Sequence, residues 1–487
     1  FCSFAVLLTN DRHHRGYGAI QLVFSSLIFI FLFLPLVLIL YYSVPSLYLR
    51  NWILVISSVI FYAWGEPFWV ILLLMSATVD YFNGKFIEKH RGKPIAKLGL
   101  INTMLFNLGC LSVFKYSGFI IENVNAVTGF KIPEPGFTLP VGISFYVFMS
   151  ISYTLDVWYG RVKAQQSFAS FLVYIANFHH LVAGPIIRYG HIANEITERF
   201  FKWVDFHQGV NRFSKGLFKK VCIANTAGAL AVPLLAQDAE SATVLGAWIG
   251  ILLFSLQIYF DFSGYSDMAI GLGKMFGFHY HENFKHPYTA KSITDFWRRW
   301  HISLSSFFKD YVYIPLGGNR YKQVRNILVV WMLTGVWHGA SWNFIFWGLY
   351  FGLLLLVEKF VLNKILEKLP AIFQHGYAIF FILIGWAIFY FTDLNQLWTH
   401  LQIMFGVISA PLADYEDFSL LNSNAYWLAL ALILCFPVHR KMQEFLQKRF
   451  SPTVVAMADF AQNLLYLGCA IALLVGSTYN PFIYFRF

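Results

Sequence analysis

The chain has 487 residues, of which 58% are hydrophobic and only 13% are charged. About a quarter of the residues in a soluble globular domain are charged, so this composition excludes that class and indicates a polytopic membrane protein. The net charge of +11 does not indicate nucleic-acid binding, because the lysines and arginines lie in loops beside apolar stretches and not in a separate basic domain. Five widely spaced cysteines predict neither a disulfide framework nor a zinc site.

The beginning of the chain predicts three membrane spans after an atypical start. Residues 1–21 carry a charged run unlike the sequence that follows. We expect them to be a leader or extension outside a single membrane domain that occupies residues 22–487. The first span covers residues 22–42. Apolar stretches at 52–64 and 68–82 are separated by a Gly-Glu-Pro sequence that breaks the helix.

Charge in the loops predicts how the next segments cross the membrane. The loop at residues 85–97 is basic, and basic loops favour the cytoplasmic side. Residues 98–119 then span outward, and residues 139–158 span back. Basic sequence flanks the segment 171–187 on both sides, so we expect it to enter the membrane and return as a re-entrant element.

Two carboxylates accompany the next pair of predicted spans, residues 217–235 and 244–262. Asp261 and Asp267 are separated by hydroxyl-bearing and aromatic residues, at or near membrane depth. This pattern fits two structures equally, the mouth of a polar cavity or a solvated turn.

The longest polar stretch, residues 274–325, is strongly basic. Within it, Ser292 and Asp295 have the spacing of a capping box, which predicts the start of a helix. If that helix continues, Trp297 and His301 share its apolar face. The sequence therefore predicts an amphipathic helix at the cytoplasmic surface, in which packing is the ordinary role for His301.

His338 lies between two apolar segments, residues 326–337 and 344–357. As a helix the first segment rises roughly 18 Å, little more than half of a bilayer core about 30 Å thick, which places the imidazole at membrane depth. An ionisable side chain at that depth is a functional-site hypothesis by default, and a hydrogen-bonded histidine at a helix break is the alternative. Gly335 and Gly339 would let a neighbouring backbone or an extended substrate come close.

The end of the chain predicts spans at residues 372–391, 425–437 and 455–475, with residues 394–408 along the outer surface. About ten apolar segments in all are long enough to span a membrane. No phosphate-binding loop, zinc-protease helix or hydrolase elbow is present in the sequence. Three histidines lie in one loop, namely His279, His281 and His286. In the sequence, no cysteine lies near them that could complete a zinc site, so we predict no metal site there.

Long and specific sequence blocks surround both His301 and His338. They read Asp-Phe-Trp-Arg-Arg-Trp-His at residues 295–301, Pro-Leu-Gly-Gly-Asn-Arg at 315–320 and Trp-His-Gly at 337–339. In these blocks and over nearly the whole chain after Leu22, the sequence resembles the membrane-bound O-acyltransferases. It is most similar to their bacterial branch, which contains alginate O-acetyltransferase and the D-alanyl transfer protein of teichoic acid, and within that branch to the alginate type.

The resemblance implies an all-α polytopic integral membrane protein, in which a ring of about ten or more transmembrane helices with re-entrant segments surrounds a central tunnel. It implies an O-acyltransferase of the bacterial cytoplasmic (inner) membrane, with a cytoplasmic thioester as donor and an extracytoplasmic hydroxyl as acceptor. The expected product is an O-acetylated exopolysaccharide such as alginate. The donor is expected to be acetyl-CoA or, as the alternative, a carrier-protein thioester, with no bound cofactor. An extracytoplasmic acetyltransferase or scaffold is the expected partner.

The resemblance also assigns roles to individual residues. His338 matches the histidine that the family regards as catalytic, and we expect it to be the general base for the acceptor hydroxyl, kept neutral by burial. His301 matches the second characteristic histidine. The cations Arg298, Arg299 and Lys309 are expected to contact the phosphate end of the donor. Asn343 and Ser341 are candidates for hydrogen-bond donors to the oxyanion. The complete set of residues predicted to bind substrate is Arg298, Arg299, Lys309, Trp300, Asn319, Trp337, Asn343 and Asp261.

Two other functions fit the same residues. One is an acyl-group translocator or transporter subunit of a polysaccharide modification complex, in which Asp261, Asp267 and His338 form a polar path. The other is transfer of D-alanyl groups or of acyl groups to peptidoglycan.

Overall fold

The computed structural model describes residues 22–476, and within that range all regular secondary structure is helical. The predicted leader, residues 1–21, lies outside the described residues. The helices of the first half are α1 (Phe29–Ser43), α2 (Leu47–Gly65), α3 (Trp69–Lys89), α4 (Ala96–Thr128), α5 (Ile143–Trp158), α6 (Phe168–Ala176), α7 (Tyr189–Thr197), α8 (Trp203–Leu235) and α9 (Val244–Met275).

The second half begins with short helices around His301 and continues with longer ones. They are α10 (Ile293–Arg299), α11 (Ile302–Phe308), α12 (Gln323–His338), α13 (Trp342–Leu366), α14 (Ala371–Tyr390), α15 (Leu394–Met404), α16 (Tyr415–Ser423), α17 (Ala425–Leu434), α18 (Val438–Arg449) and α19 (Pro452–Gly476).

Eight of the described helices are long and apolar enough to cross a membrane, namely α2, α3, α4, α8, α9, α13, α14 and α19. The helices α1 and α17 are apolar but shorter. The count is below the ten or so predicted because three predicted spans, at 22–42, 139–158 and 425–437, form helices of 10–17 residues, namely α1, α5 and α17. The predicted class, an all-α polytopic membrane protein, is confirmed.

Helix α9 is the most buried of the eight spans, because 78% of its apolar 18-residue stretch is buried inside the molecule. It packs against α8 through glycines, since a Cβ added to Gly264 would lie 2.7 Å from the carbonyl oxygen of Gly216, and one added to Gly271 the same distance from that of Gly209. Small residues allow helix backbones to approach closely in this way. The site elements are therefore arranged around a rigid pair of long helices.

Of the two structures that the sequence left open for Asp261 and Asp267, the solvated turn is wrong. Both residues lie inside the continuous helix α9 and are only 2% and 5% exposed. Lys220 pairs with Asp261 at 2.7 Å, and Asp267 is paired with Lys219 and Arg212, each at 2.7 Å. Burial of these carboxylates is tolerated because cations of α8 face them across the helix pair.

The predicted re-entrant segment consists of the short helix α6 followed by a buried, non-helical stretch at residues 177–188. Side chains satisfy polar groups there: the Phe178 N–H donates to Ser58 Oγ at 2.9 Å, and the His180 imidazole hydrogen-bonds the Tyr174 carbonyl at 2.8 Å. Irregular backbone at membrane depth requires such cover by protein.

The prediction of one continuous helix through His301 is wrong. Ser292 does cap the start of α10, because its Oγ accepts a hydrogen bond from the Asp295 N–H at 3.0 Å. However, α10 ends at Arg299, Trp300 is extended, and His301 adopts a left-handed conformation with φ of 45° before α11 begins. His301 therefore lies at a helix break and not on a helix face.

Candidate active site

His338 is the last residue of α12 and is 5% exposed. Its imidazole is surrounded by aromatic rings, with centroid distances of 4.9 Å to Trp337, 4.9 Å to Trp347 and 5.2 Å to Phe389. The helix ends there because Gly339 is extended. A helix end therefore presents the imidazole within an aromatic, largely dry environment.

The two glycines beside His338 allow α12 and α13 to touch. A Cβ added to Gly335 would lie 2.3 Å from the Phe344 carbonyl oxygen, and one added to Gly339 would lie 2.2 Å from the Phe344 ring. A side chain at either position would collide with α13. Of the two neighbours predicted for these glycines, a backbone or an extended substrate, the structure shows the backbone of α13 at Gly335 and a side chain of α13 at Gly339.

Lys115 of α4 supports the end of α12. Its Nζ donates to the carbonyls of Trp337 at 2.6 Å and of His338 at 3.2 Å, and to Ser144 Oγ at 3.4 Å. The last carbonyls of a helix have no intrahelical partner and carry partial negative charge, so an ammonium stabilises them. Sequence analysis missed Lys115, although a lone lysine within a predicted span is a signal for function.

A cavity reaches His338 beside this lysine. It encloses about 470 Å³, including its open mouth, and Lys115, Ser144, Val182, Trp337 and His338 contribute to its walls. The remaining wall is the segment at residues 139–143 that leads into α5. The cavity therefore borders the catalytic candidate and the lysine that supports it.

His301 also contacts the Trp337 ring. Its ring centroid is 5.8 Å from that of Trp337 and 4.6 Å from that of Phe262, and the residue is 1% exposed. Burial lowers the pKa of His301 to about 3, so the imidazole is neutral at physiological pH. The imidazoles of His301 and His338 are also close enough to interact electrostatically. The fold thus brings together the two histidines that the resemblance singled out.

Asn283 orients the His301 imidazole. The amide Nδ2 donates to the Gly184 carbonyl at 3.4 Å and to Ser266 Oγ at 3.2 Å, while Oδ1 accepts from the Ser303 N–H at 3.2 Å. A carbonyl only accepts and a backbone N–H only donates, so these partners settle which end of the amide is oxygen.

The His301 Nδ1 lies 3.2 Å from the same Oδ1 and therefore carries the proton. Nε2 is consequently the basic nitrogen of His301. Sequence analysis missed Asn283, and its distance of 18 residues from His301 offers no periodic signal.

Trp300 belongs to the aromatic wall of the site. It is 2% exposed, and its ring is 4.8 Å from that of Trp386. Trp386 in turn is 5.7 Å from Phe389, whose ring is 5.2 Å from His338. A chain of contacting aromatic rings therefore connects Trp300 to His338.

The predicted cationic residues do not converge on the histidines. Arg298 and Lys309 are exposed. Arg299 is held by Asp295, whose Oδ1 accepts from its Nε at 2.8 Å. Asn319 is exposed as well, and its Oδ1 accepts from the Tyr313 hydroxyl at 2.7 Å. Contact of these residues with a donor remains a prediction.

The side chains of two further predicted substrate-binding residues, Asn343 and Asp261, bond to other parts of the protein. The buried Asn343 amide donates to the carbonyls of Ile388 at 3.2 Å and Phe389 at 3.1 Å, which ties α13 to the end of α14. The amide hydrogens that an oxyanion would need are therefore used. Asp261 is neutralised by Lys220 in the helix pair described above. Both residues support the fold around the site.

Comparison with known proteins gives consistent matches. The family model "MBOAT, membrane-bound O-acyltransferase family" matches residues 161–392. "Probable alginate O-acetylase AlgI" of Azotobacter vinelandii is 39% identical over 422 residues, 85% of this chain and 84% of that protein. The Pseudomonas putida protein of the same name is 37% identical over 490 residues, 96% of this chain and 100% of that protein. "Peptidoglycan O-acetyltransferase" of Helicobacter pylori is 33% identical over 424 residues, 79% and 80% of the two chains.

Proposed function

Since the chain belongs to the membrane-bound O-acyltransferase family, we propose that it transfers an acetyl group from a cytoplasmic thioester donor to a hydroxyl acceptor on the extracytoplasmic side. It is a multi-pass membrane O-acyltransferase similar to the alginate O-acetylases. The acceptor that we propose is an exopolysaccharide such as alginate, and the location is the bacterial inner membrane.

One observation carries this proposal: His338 and His301 both contact the Trp337 ring, and a cavity reaches His338. A thioester and a hydroxyl react only when a base lies near the hydroxyl proton and both reactants are aligned. A buried imidazole at the end of an open cavity supports that role for His338. The translocator alternative is weakened because Asp261 and Asp267, two groups of its polar path, are ion-paired within the helix core.

In the proposed mechanism, His338 accepts the proton of the acceptor hydroxyl as the oxygen attacks the thioester carbonyl. The tetrahedral intermediate then collapses, the C–S bond breaks, and the departing thiolate takes the proton from the His338 imidazolium. His301, neutral and held with Nε2 basic, lies beside this step and orients the donor. The aromatic rings around His338 exclude water and so limit hydrolysis of the thioester.

The donor that we propose is acetyl-CoA, with a carrier-protein thioester as the alternative. Exposed Arg298 and Lys309 are suited to contact the phosphate end of the donor at the protein surface. A separate extracytoplasmic acetyltransferase or scaffold is the proposed partner that completes the modification of the polymer.

The test is acetyl transfer from radiolabelled acetyl-CoA to deacetylated alginate oligosaccharides in proteoliposomes. The His338→Ala and His301→Ala variants are compared with the parent protein and with His207→Ala, which removes an exposed histidine of α8 far along the chain from both. We expect label on the oligosaccharide with the parent and His207→Ala, and a loss of roughly 10²-fold or more with His338→Ala.

Equal transfer by His338→Ala would show that this residue is not the base. If label never leaves CoA even with the parent, the assay is repeated with an acetylated carrier protein. Failure of both donors would overturn the proposed donor class.

A further inference from the structure

A second cavity lies at the ends of α1 and α9, beside the linker that leads into α8. Its empty volume, open solvent included, is about 270 Å³. Its walls combine aromatic rings with basic side chains: Tyr41, Tyr42, Phe200, Phe201 and Phe276 with Arg50, Arg199, Lys202 and Lys274. A single carboxylate, Asp205, also lines it. We refer to this cavity as the basic cleft.

Within the part of the chain that the structure describes, no ion pair neutralises the cations of the basic cleft. Among residues 22–476, no carboxylate oxygen lies within 4.0 Å of a nitrogen of Arg50, Arg199, Lys202 or Lys274. The carboxylate of Asp205 faces His279 instead, at 3.4 Å. The basic cleft therefore carries an excess of positive charge.

The hydrogen-bond partners of these cations are neutral oxygens. Arg199 donates to the Tyr41 hydroxyl and to the Glu195 backbone carbonyl, both at 3.1 Å, and to the side-chain oxygen of Asn51. Lys274 donates to Gln208 Oε1 at 2.7 Å. Arg50 donates from Nε to the Val44 carbonyl at 2.8 Å.

Arg199 makes this arrangement significant because it is only 7% exposed. A buried charge without a counter-ion is unfavourable, and a bound anion would offset that cost. Arginine and lysine grouped around a small cleft are the residues that bind phosphate oxygens.

The surroundings of the basic cleft place its opening beside lipid. Exposed apolar and aromatic side chains flank it: Tyr48 (63%), Leu49 (47%), Phe200 (76%), Trp203 (76%) and Val204 (65%). Tryptophan and tyrosine are enriched where protein meets the membrane–water interface. The cleft would therefore bind its ligand at the membrane–water interface.

We propose that the basic cleft binds a phosphate ester, with Arg50, Lys202 and Lys274 around the buried Arg199. Two sources share this chemistry, the headgroup of an anionic phospholipid and the phosphate end of a soluble nucleotide. The site is separate from the cavity at His338, since the two share no lining residue, and the proposal does not depend on the acetyl-transfer reaction.

The experiment measures ligand-induced shifts of the thermal unfolding midpoint for the full chain in phosphatidylcholine nanodiscs. Short-chain phosphatidylglycerol, adenosine 3′,5′-bisphosphate and short-chain phosphatidylcholine are titrated separately at low ionic strength, where charge contacts are least screened. The Arg50→Gln/Lys202→Gln variant is compared with Lys441→Gln/Lys448→Gln, which removes the same charge from the exposed face of α18.

We expect saturable binding of phosphatidylglycerol to the parent and to the α18 variant, and binding weakened roughly tenfold or more in the cleft variant. If only the nucleotide behaves in this way, the cleft is a phosphate site supplied from solution. If neither probe binds, or if both double variants bind alike, the proposal is overturned. Lys202→Gln alone replaces the double variant if the latter does not fold, because Lys202 is exposed.

Discussion

Replacing Asn283 with alanine would remove the amide that orients the His301 imidazole. The side chain makes five hydrogen bonds, to Gly184, Ser266, His301 and, twice, Ser303. The substitution leaves the buried Gly184 carbonyl and the partly buried Ser303 N–H without this partner. A buried group left unsatisfied costs about 1–3 kcal/mol, so Asn283→Ala should destabilise the protein by at least that amount.

The catalytic effect should be separable from the loss of stability. Without Asn283, the His301 imidazole loses the amide oxygen that accepts from Nδ1 at 3.2 Å. Misplacement of a reacting group by about 1 Å can cost roughly 10²-fold in rate. Asn283→Asp keeps an acceptor facing Nδ1 but adds a negative charge, which favours the imidazolium form. The pKa of His301, about 3 in the parent, should therefore rise.

The Asn283→Asp substitution should narrow the pH range of activity at its acidic end. His301 is needed neutral and becomes protonated as the pH falls through its pKa, so activity of Asn283→Asp should be lost at a higher pH than activity of the parent. His338 lies within electrostatic reach of His301 and is unchanged in both proteins.

The assay is the initial rate of acetyl transfer in proteoliposomes across a pH series, with the folded fraction measured in parallel. Asn363→Ala is the matched control, because this exposed asparagine bonds only to Glu367 among the described residues. Parental rates in folded Asn283→Ala, or identical acidic limits for Asn283→Asp and the parent, would refute this account of His301.

Two further substitutions test the elements that hold His338. Lys115→Met leaves the carbonyls of Trp337 and His338 without their donor, so kcat should fall roughly 10²-fold with little change in KM, which initial rates at varied acceptor concentration will reveal. Gly335→Ala places a methyl group where the Phe344 carbonyl lies and should destabilise the protein by about 1–3 kcal/mol in thermal unfolding. Gly376→Ala, where nothing lies within 4 Å of an added Cβ, should not destabilise it; equal effects of the two substitutions would contradict the packing argument.

Local hydrophobicity was enough to predict the class of the protein and most of its helices. The apolar run at 372–391 corresponds to α14 (Ala371–Tyr390), and the run at 455–475 corresponds to α19 (Pro452–Gly476). Such runs are readable because the partition of a segment into lipid depends on its own hydrophobicity. The capping of α10 by Ser292 was readable for a similar reason, since the bond joins residues three positions apart.

Tertiary structure decided the geometry of the site. Periodicity favoured one helix through Trp300 and His301, yet the helix is interrupted there. Asn283 supplies hydrogen bonds to His301 and Ser303 that a continuous helix would not make. Lys115 reaches the His338 carbonyl across 223 positions of sequence. Contacts between residues so far apart leave no trace in local hydrophobicity, and only the packed helices show which polar side chains meet.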